Sequence, residues 1–393
     1  MSRPPRPRSV RPAVGRTVLY LTLVGVMLIF LMPFIWLLVT SLKPVEQAMS
    51  LPPSFVPRAH YATIEGQRRE VIREYELAAP GAVVAWTAGP RQGRREALPL
   101  AAAATAVASG QATELYRVDA GWWRVTARPA PGDDGALPWA IVPPEDLTTT
   151  IAPRWSNYPE ALERMGGEPA PPDSPAAASR VGFHRFVANT LLVCVLGVIG
   201  TIFSNAIVAY GFARLQWRGR DAFFALTLAT MMVPFPVLMV PLYGVFKSLG
   251  LIGTLTPLWL PAFFGSAFNI FLMRQFFRTI PEELSEAARI DGCSEWRIFW
   301  RIILPLSKPV LATAGVFHFL YAWNDFMGPL LFLTRKEDYT LSLALQNYQS
   351  QHGGVQWHYL MAASAVTIIP IIILFFFAQR TFIQGIATTG SKA

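Results

Sequence analysis

The sequence contains an uninterrupted apolar run, residues 18–39, that is 22 residues long and carries no charged side chain. Because an α-helix rises about 1.5 Å per residue, such a run is about 33 Å long, enough to cross the hydrocarbon core of a bilayer. A signal peptide would have a shorter apolar region, about 7–15 residues, followed by a small-residue cleavage site. The run therefore predicts an uncleaved transmembrane helix.

Five further runs of membrane length lie at 186–212, 222–246, 255–273, 310–333 and 359–377. The chain is 52% hydrophobic and 15% charged, with a mean hydropathy of +0.35, a composition that argues against a water-soluble enzyme. Cys194 and Cys293 are too few for a disulfide framework or a zinc site. These runs predict an all-α polytopic membrane protein with six transmembrane helices.

Lys and Arg residues are concentrated on alternate connections between these runs, and the segment 1–17 carries five arginines. By the positive-inside rule this segment is a cytoplasmic tail, and so is 386–393. The short connections on the opposite side hold only Lys247, Arg335 and Lys336. The basic residues assigned to the cytoplasm after the first span are Arg214, Arg218, Arg220, Arg274, Arg278, Arg289, Arg297, Arg301, Lys308, Arg380 and Lys392. The net charge of +9 therefore reflects orientation, and no nucleic-acid partner is expected.

The connection between the first two spans, 40–185, is long and nearly neutral, with 15 basic and 16 acidic residues. Segments 73–77, 82–87 and 114–126 are strand-like and are bounded by Pro-Gly and Gly-Pro pairs, which are typical of turns. We predict a small β-rich extracytoplasmic insert at about 58–150. The remaining helices form a transmembrane core over 186–385.

The connection 281–309, between the fourth and fifth spans, has the most informative pattern. Pro281 suits the first turn of a helix, and acidic side chains at 282, 283 and 286 suit its positive amino end. Gly292 then ends that helix. A second, amphipathic helix runs to Leu304, before Pro305 and Pro309 break it. Its apolar residues are Trp296, Phe299, Trp300 and Ile303.

Two short helices joined at a glycine form a shape that another protein can bind. The alternative is an amphipathic helix lying on lipid headgroups.

The connection contains Glu286-Ala287-Ala288, then Gly292 after three further residues, Ile302 after nine more and Leu304-Pro305 after one more. This pattern resembles the EAA loop of permease subunits of bacterial ABC importers. We call 281–309 the EAA segment. Other segments resemble the maltose-permease type of sugar importer: Ser41-Leu42-Lys43-Pro44, Trp155-Ser156-Asn157-Tyr158, Asn189-Thr190-Leu191, Leu272-Met273-Arg274-Gln275-Phe276-Phe277 and Trp323-Asn324-Asp325-Phe326. The resemblance covers 14–55 and 153–388 and excludes the insert.

The resemblance implies a fold of the type I ABC importer permease kind, in a bacterial inner membrane, with a sugar or related polyol as cargo. It implies three kinds of partner: a second permease in a heterodimer, two copies of an ABC ATPase, and an extracytoplasmic solute-binding protein. The chain itself would be non-catalytic and bind no cofactor, with ATP and Mg²⁺ used by the ATPases. Consistently, the sequence has no P-loop motif. The residues that would dock on the ATPase are Glu286, Ala287, Ala288, Asp291 and Gly292.

Ionisable side chains inside a span are costly unless they face protein or water. His318, Tyr321 and Asp325 recur at helical spacing in the fifth span, which predicts that they share one face. With Trp323 and Asn324 they are candidates for the substrate path, since a sugar needs aromatic surfaces and hydrogen-bonding groups. The alternative is that Asn324 and Asp325 cap a break in the helix.

Two other functional classes have less support in the sequence. A secondary transporter should show inverted or parallel repeats of helix groups, none of which is recognisable in this sequence, and it gives no reason for an EAA segment. A membrane-anchored protein acting through its external domain should show a catalytic constellation there, and the insert has no recognisable one.

Overall fold

The computed structural model describes residues 11–50, 53–128, 137–167, 180–348 and 356–390, so the two predicted tails lie partly outside the described residues. The chain divides into two units, Met1–Asn157 and Tyr158–Ala393.

The first unit begins with α1, Arg11–Ser41, which contains the predicted first span, and the short helix α2, Val45–Ala48. The segment Gly15–Ser41 has the length and hydropathy of a membrane span. Asn157 connects its own segment, 155–158, to the segment 41–44 after α1. Its side-chain amide donates to the carbonyls of Ser41 at 2.8 Å and Lys43 at 2.9 Å. Lys43 is buried, with its ammonium 4.0 Å from the Trp36 ring centroid, and burial lowers the pKa of Lys43.

Within the described part of the following segment, eight strands form two antiparallel sheets. The five-stranded sheet has the order β7-β6-β2-β1-β8 and the three-stranded sheet the order β4-β3-β5. Their bounds are β1 Arg58–Ile64, β2 Gln67–Glu76, β3 Gly81–Trp86, β4 Arg95–Pro99, β5 Ala112–Val118, β6 Trp123–Ala127, β7 Trp139–Val142 and β8 Thr148–Ile151. Helix α3, Leu100–Ala108, covers the smaller sheet by packing Ala103 and Ala106 against Ala82 and Val84. Since β1 pairs with β8, the chain enters and leaves this domain side by side.

The second unit is helical. Its helices are α4 Asn157–Arg164, which begins at the unit boundary, α5 Phe183–Ala213, α6 Arg220–Ala229, α7 Phe235–Ser248, α8 Thr256–Trp259, α9 Ala267–Phe277, α10 Glu283–Ile290, α11 Glu295–Leu306, α12 Lys308–Asn324, α13 Met327–Phe332, α14 Leu341–Ala344 and α15 Trp357–Gly390. Helix α5 is central and packs against α9 and α12, while α15 packs against α12. The contact between α5 and α12 is close at Gly197, where a β-carbon would overlap the His318 ring.

Four helical segments of the described chain are long and apolar enough to cross a membrane: Gly15–Ser41, Phe183–Ala213, Thr256–Phe277 and Trp357–Gln379. Two further pairs of helices pass only together, Arg220–Met232 with Phe235–Ser248, bent by 100°, and Glu295–Leu306 with Lys308–Asn324, bent by 76°. The count therefore reaches six only if each bent pair is one span.

Three of the predicted spans are not continuous helices, and one of these, the fourth, is divided between α8 and α9. The third breaks at Val233, because a residue that precedes a proline is driven to extended geometry, and Val233 has ψ 114°. The fifth ends at Asn324, where Asp325 is extended, and the chain resumes helical geometry in α13.

Candidate functional site

The first helix of the EAA segment, α10, ends as the sequence predicts. Gly292 has φ +78°, a left-handed conformation that side chains disfavour. In this turn the backbone amide of Cys293 donates to the carbonyl of Ala288 at 2.9 Å, and the backbone amide of Gly292 donates to the carbonyl of Arg289 at 3.0 Å. Both bonds satisfy carbonyls at the helix end. The prediction that Gly292 stops the helix is confirmed.

Four of the five predicted docking residues are exposed on this helix and turn: Glu286, Ala287, Asp291 and Gly292. Ala288 differs from the expectation, because it is only 8% exposed and packs into the core that includes Phe277 and Phe299. Positions 285 and 288 lie on the same helix face, and Ser285 is buried too. Ala288 therefore allows close packing within this chain, and Ala287 is the alanine on the outer face.

Sequence reasoning missed two apolar residues on that outer face. Ile290 is 87% exposed, and Leu284 is also exposed. Together with Ala287 they recur at i, i+3 and i+6, and this spacing was the available signal. The outer face of α10 is therefore an apolar strip with acidic residues beside it, and the described residues of this chain leave it uncovered.

The second helix, α11, continues to Leu306, so the expectation that Pro305 breaks it is wrong. The reason is the stretch Phe299–Ile303, which is π-helical. A wider turn changes the hydrogen-bond register ahead of the proline, so that its missing amide and its ring are accommodated. The break falls instead at Ser307, between α11 and α12.

Glu295, at the start of α11, joins three elements through its carboxylate. One oxygen accepts a hydrogen bond from the Tyr210 hydroxyl of α5 at 2.5 Å, and the other accepts from Arg289 Nε of α10 at 2.8 Å. The hydrogen bond to Glu295 raises the pKa of Arg289. The ring of Tyr210 also packs on Phe299, with centroids 5.2 Å apart.

Two buried arginines join the ends of α5 and α9 just before the EAA segment. The Arg214 guanidinium donates to the carbonyls of Phe277, at 2.6 Å, and Ile280. In return Arg274 Nε donates to the carbonyl of Phe212 at 3.2 Å. Sequence reasoning assigned Arg214 and Arg274 to topology only, although an arginine at a helix carboxyl end can also bind the last carbonyls of a helix.

The five candidates for a substrate path do not lie on one common face. Tyr321 is 60% exposed, and its ring centroid lies 6.0 Å from that of the half-buried His318. Asn324 is exposed on the same stretch of α12. Trp323 instead is 5% exposed, and its indole N–H donates to the carbonyl of Thr367 in α15 at 3.2 Å. Trp323 therefore packs in the helix core, away from Tyr321.

Asp325 lies just beyond the end of α12, so it does not continue the helical face of His318 and Tyr321. Its carboxylate accepts a hydrogen bond from the Gly328 amide at 3.1 Å, at the start of α13. This contact agrees with the alternative in which Asp325 caps a break in the helix. In the described ranges no three His, Cys, Asp or Glu side chains are grouped closely enough to hold a metal ion.

Comparison with known proteins identifies relatives for most of the helical part. The family described as "Binding-protein-dependent transport system inner membrane component" matches residues 200–388. The arabinooligosaccharides transport system permease protein AraQ of Halalkalibacterium halodurans is 38% identical over 210 residues, which are 53% of this chain and 75% of that protein. The sn-glycerol-3-phosphate transport system permease protein UgpE of Yersinia pestis is 36% identical over 205 residues, or 52% of this chain and 73% of that one.

A solved structure resembles almost the whole chain. It is a crystal structure of a bacterial ABC transporter involved in the import of the acidic polysaccharide alginate, and one chain of it matches with a TM-score of 0.57 at 20% identity. The match covers 96% of this chain and 99% of that chain. At this identity it shows a shared fold. The sequence relatives decide the family: this chain belongs to the binding-protein-dependent transport system inner membrane components, the permease components of ABC importers.

Proposed function

We propose that this chain is a non-catalytic permease subunit of an ATP-driven importer, coupled to separate ATPase subunits through its EAA segment. The observation that carries the proposal is the outer face of α10, where Glu286, Ala287 and Ile290 are exposed on a helix that a glycine turn orients. An apolar strip flanked by acidic groups suits a cleft that has an apolar floor and basic walls.

The proposed assembly contains a second permease, two copies of an ABC ATPase and an extracytoplasmic solute-binding protein. ATP and Mg²⁺ are used by the ATPases, and this chain binds no cofactor. In the proposed topology both termini and the EAA segment are cytoplasmic and 40–185 is outside the membrane. The basic residues of the short connections support this orientation. The β-rich insert would contact the solute-binding protein or the partner permease.

The proposed cargo is a sugar or a related polyol. Two of the relatives support this class, since they are named as permease proteins of arabinooligosaccharide and sn-glycerol-3-phosphate transport systems. Within this chain, Tyr321 and Asn324 are the candidates that offer exposed polar groups, and His318 lies beside them. Trp323 and Asp325 would support this face from the core and from the helix end.

The proposal is tested by reversing one charge on the docking face. In Glu286→Lys we expect the ATPase subunit to co-purify at least about tenfold less well, because a well-placed interface residue contributes more than about 1.4 kcal/mol. Glu337→Lys is the matched control, since Glu337 is exposed at the far end of the unit's helices, in the connection between α13 and α14. Gly292→Pro, which prevents the left-handed turn, should have the same effect as Glu286→Lys. Normal association and ATP-driven uptake in both docking variants would exclude the coupling role.

A further inference from the structure

We propose that Tyr210, Glu295 and Arg289 form a latch that transmits movement of the EAA segment to the membrane helix α5. The latch makes Tyr210 and Glu295 positioning residues for coupling, and this inference rests on the proposed function.

The geometry connects three elements through a single carboxylate. Arg289 lies in the last turn of α10, Glu295 in the first turn of α11, and Tyr210 one turn before the end of α5. Both carboxylate oxygens of Glu295 are used, one by Tyr210 at 2.5 Å and one by Arg289 at 2.8 Å. A displacement of α10 therefore pulls on α5 through two charge-assisted hydrogen bonds, which are short and directional.

The surroundings of the latch are mostly apolar, so its two hydrogen bonds are the directional contacts that join α5, α10 and α11 at this place. A cavity of about 270 Å³ lies next to the latch, and its lining beyond the latch itself is mostly apolar: Ile207, Gly211, Leu215, Trp296 and Phe299. Apolar surfaces next to an open space can slide past each other, because dispersion contacts have little directionality. The low polarity of the lining also strengthens the hydrogen bonds to Glu295.

The neighbouring arginine contacts serve another connection. Arg214 binds the carbonyls of Phe277 and Ile280, which precede the EAA segment, and Arg274 binds the carbonyl of Phe212. These bonds fix α5 to α9. The latch instead fixes α5 to α10 and α11, the two helices that carry the docking face.

The test removes the latch and keeps the packing. Tyr210→Phe deletes the hydroxyl and retains the ring that packs on Phe299, and Glu295→Gln removes the charge. Arg289→Glu with Glu295→Arg exchanges the charges, so the double variant should recover what each single exchange loses. Tyr243→Phe and Glu337→Gln are matched controls outside the latch.

The readout is hydrogen–deuterium exchange of the assembled complex in nanodiscs, without nucleotide and trapped with Mg-ATP and vanadate. In the unmodified complex, nucleotide should change exchange in both 283–298 and 205–214. In Tyr210→Phe and Glu295→Gln, the change should persist in 283–298 and fall about tenfold in 205–214, since losing a hydrogen bond to a charged group alters a local equilibrium by about one decade.

A purely structural role would raise exchange in both states and leave the nucleotide-dependent difference at 205–214 intact, which would overturn the latch. A nucleotide response in 283–298 alone in the unmodified complex would overturn it too. Failure of the unmodified chain to bind the ATPase would instead contradict the proposed function, so the two failures are distinguishable.

Discussion

Individual polar side chains in the helical unit satisfy backbone groups in connections and breaks between helices. The Asn189 amide donates to the carbonyls of Glu337 and Tyr339, and the Asn205 carbonyl oxygen accepts from the Ser266 amide ahead of α9. An interrupted helix inside a membrane protein is stable only if its freed backbone groups find partners within the protein. Asn189 therefore stabilises the connection between α13 and α14, and Asn205 stabilises the break ahead of α9.

Asp325 allows capping to be separated from charge. Asp325→Asn retains an oxygen that can accept from the Gly328 amide, whereas Asp325→Ala removes it. We expect Asp325→Ala to lower the free energy of unfolding by about 1 kcal/mol, the usual value of a helix cap, and Asp325→Asn to leave it nearly unchanged. Thermal unfolding in detergent measures both. If instead Asp325→Asn abolishes substrate-stimulated ATP hydrolysis while remaining stable, the charge acts in the substrate path.

At the scale of helices, the EAA segment is positioned from both ends. The arginine pair joins α5 to α9 before the segment begins, and the break at Ser307 sets the angle between α11 and α12. The core between these helices is apolar and continuous, including Met273, Ile298 and Ile303. These contacts set the position of the EAA segment relative to α5, α9 and α12.

The arginine pair gives a stability prediction. Arg214→Met keeps much of the buried side-chain volume and removes the donors for the carbonyls of Phe277 and Ile280. We expect a loss of about 3 kcal/mol in the free energy of unfolding, because two hydrogen bonds to a charged group disappear inside the protein. The exposed Arg218→Met is the control and should cost less than about 0.5 kcal/mol. Equal stability of both variants in denaturant titrations would refute the role of Arg214.

At the scale of the whole molecule, the β-rich insert begins and ends at neighbouring positions. Arg58 pairs with Ile151, and the amide of Ala152 donates to the carbonyl of Pro57 at 3.1 Å, so the two ends of the domain meet. The contacts of Asn157 with Ser41 and Lys43 lie outside residues 58–151 and hold the segment after α1 independently of the strands.

Replacement of residues 58–151 by a short Gly-Ser linker should therefore leave the helical unit folded. We expect this variant to be monodisperse in detergent and to co-purify with the ATPase subunit, since the EAA segment lies in the second unit, Tyr158–Ala393. Excision of 58–108 is the control; it removes β1 to β4 and should cause aggregation, because both sheets lose paired strands. Aggregation of the full excision would show that the helical unit depends on the insert.

Much of the EAA segment was predictable because its determinants are local. The stop at Gly292 follows from the conformational freedom of glycine, and the exposure of Glu286 and Ala287 follows from the helical period. The orientation of Ala288 was not predictable in the same way, since nothing within the segment shows which face meets the core. The continuation past Pro305 depends on a π-helical turn that no local pattern indicates.

The sequence by itself determined that this chain has apolar segments of membrane length, a separate charge-balanced insert and a helix–glycine–helix segment. Each of these depends on the periodicity, length or conformational preference of neighbouring residues. Only the tertiary structure decided that Tyr210 and Glu295 meet, that Arg214 and Arg274 bind each other's helices, and that Trp323 packs away from Tyr321. These contacts join residues up to 85 positions apart, and such pairings follow from how helices pack rather than from any local pattern.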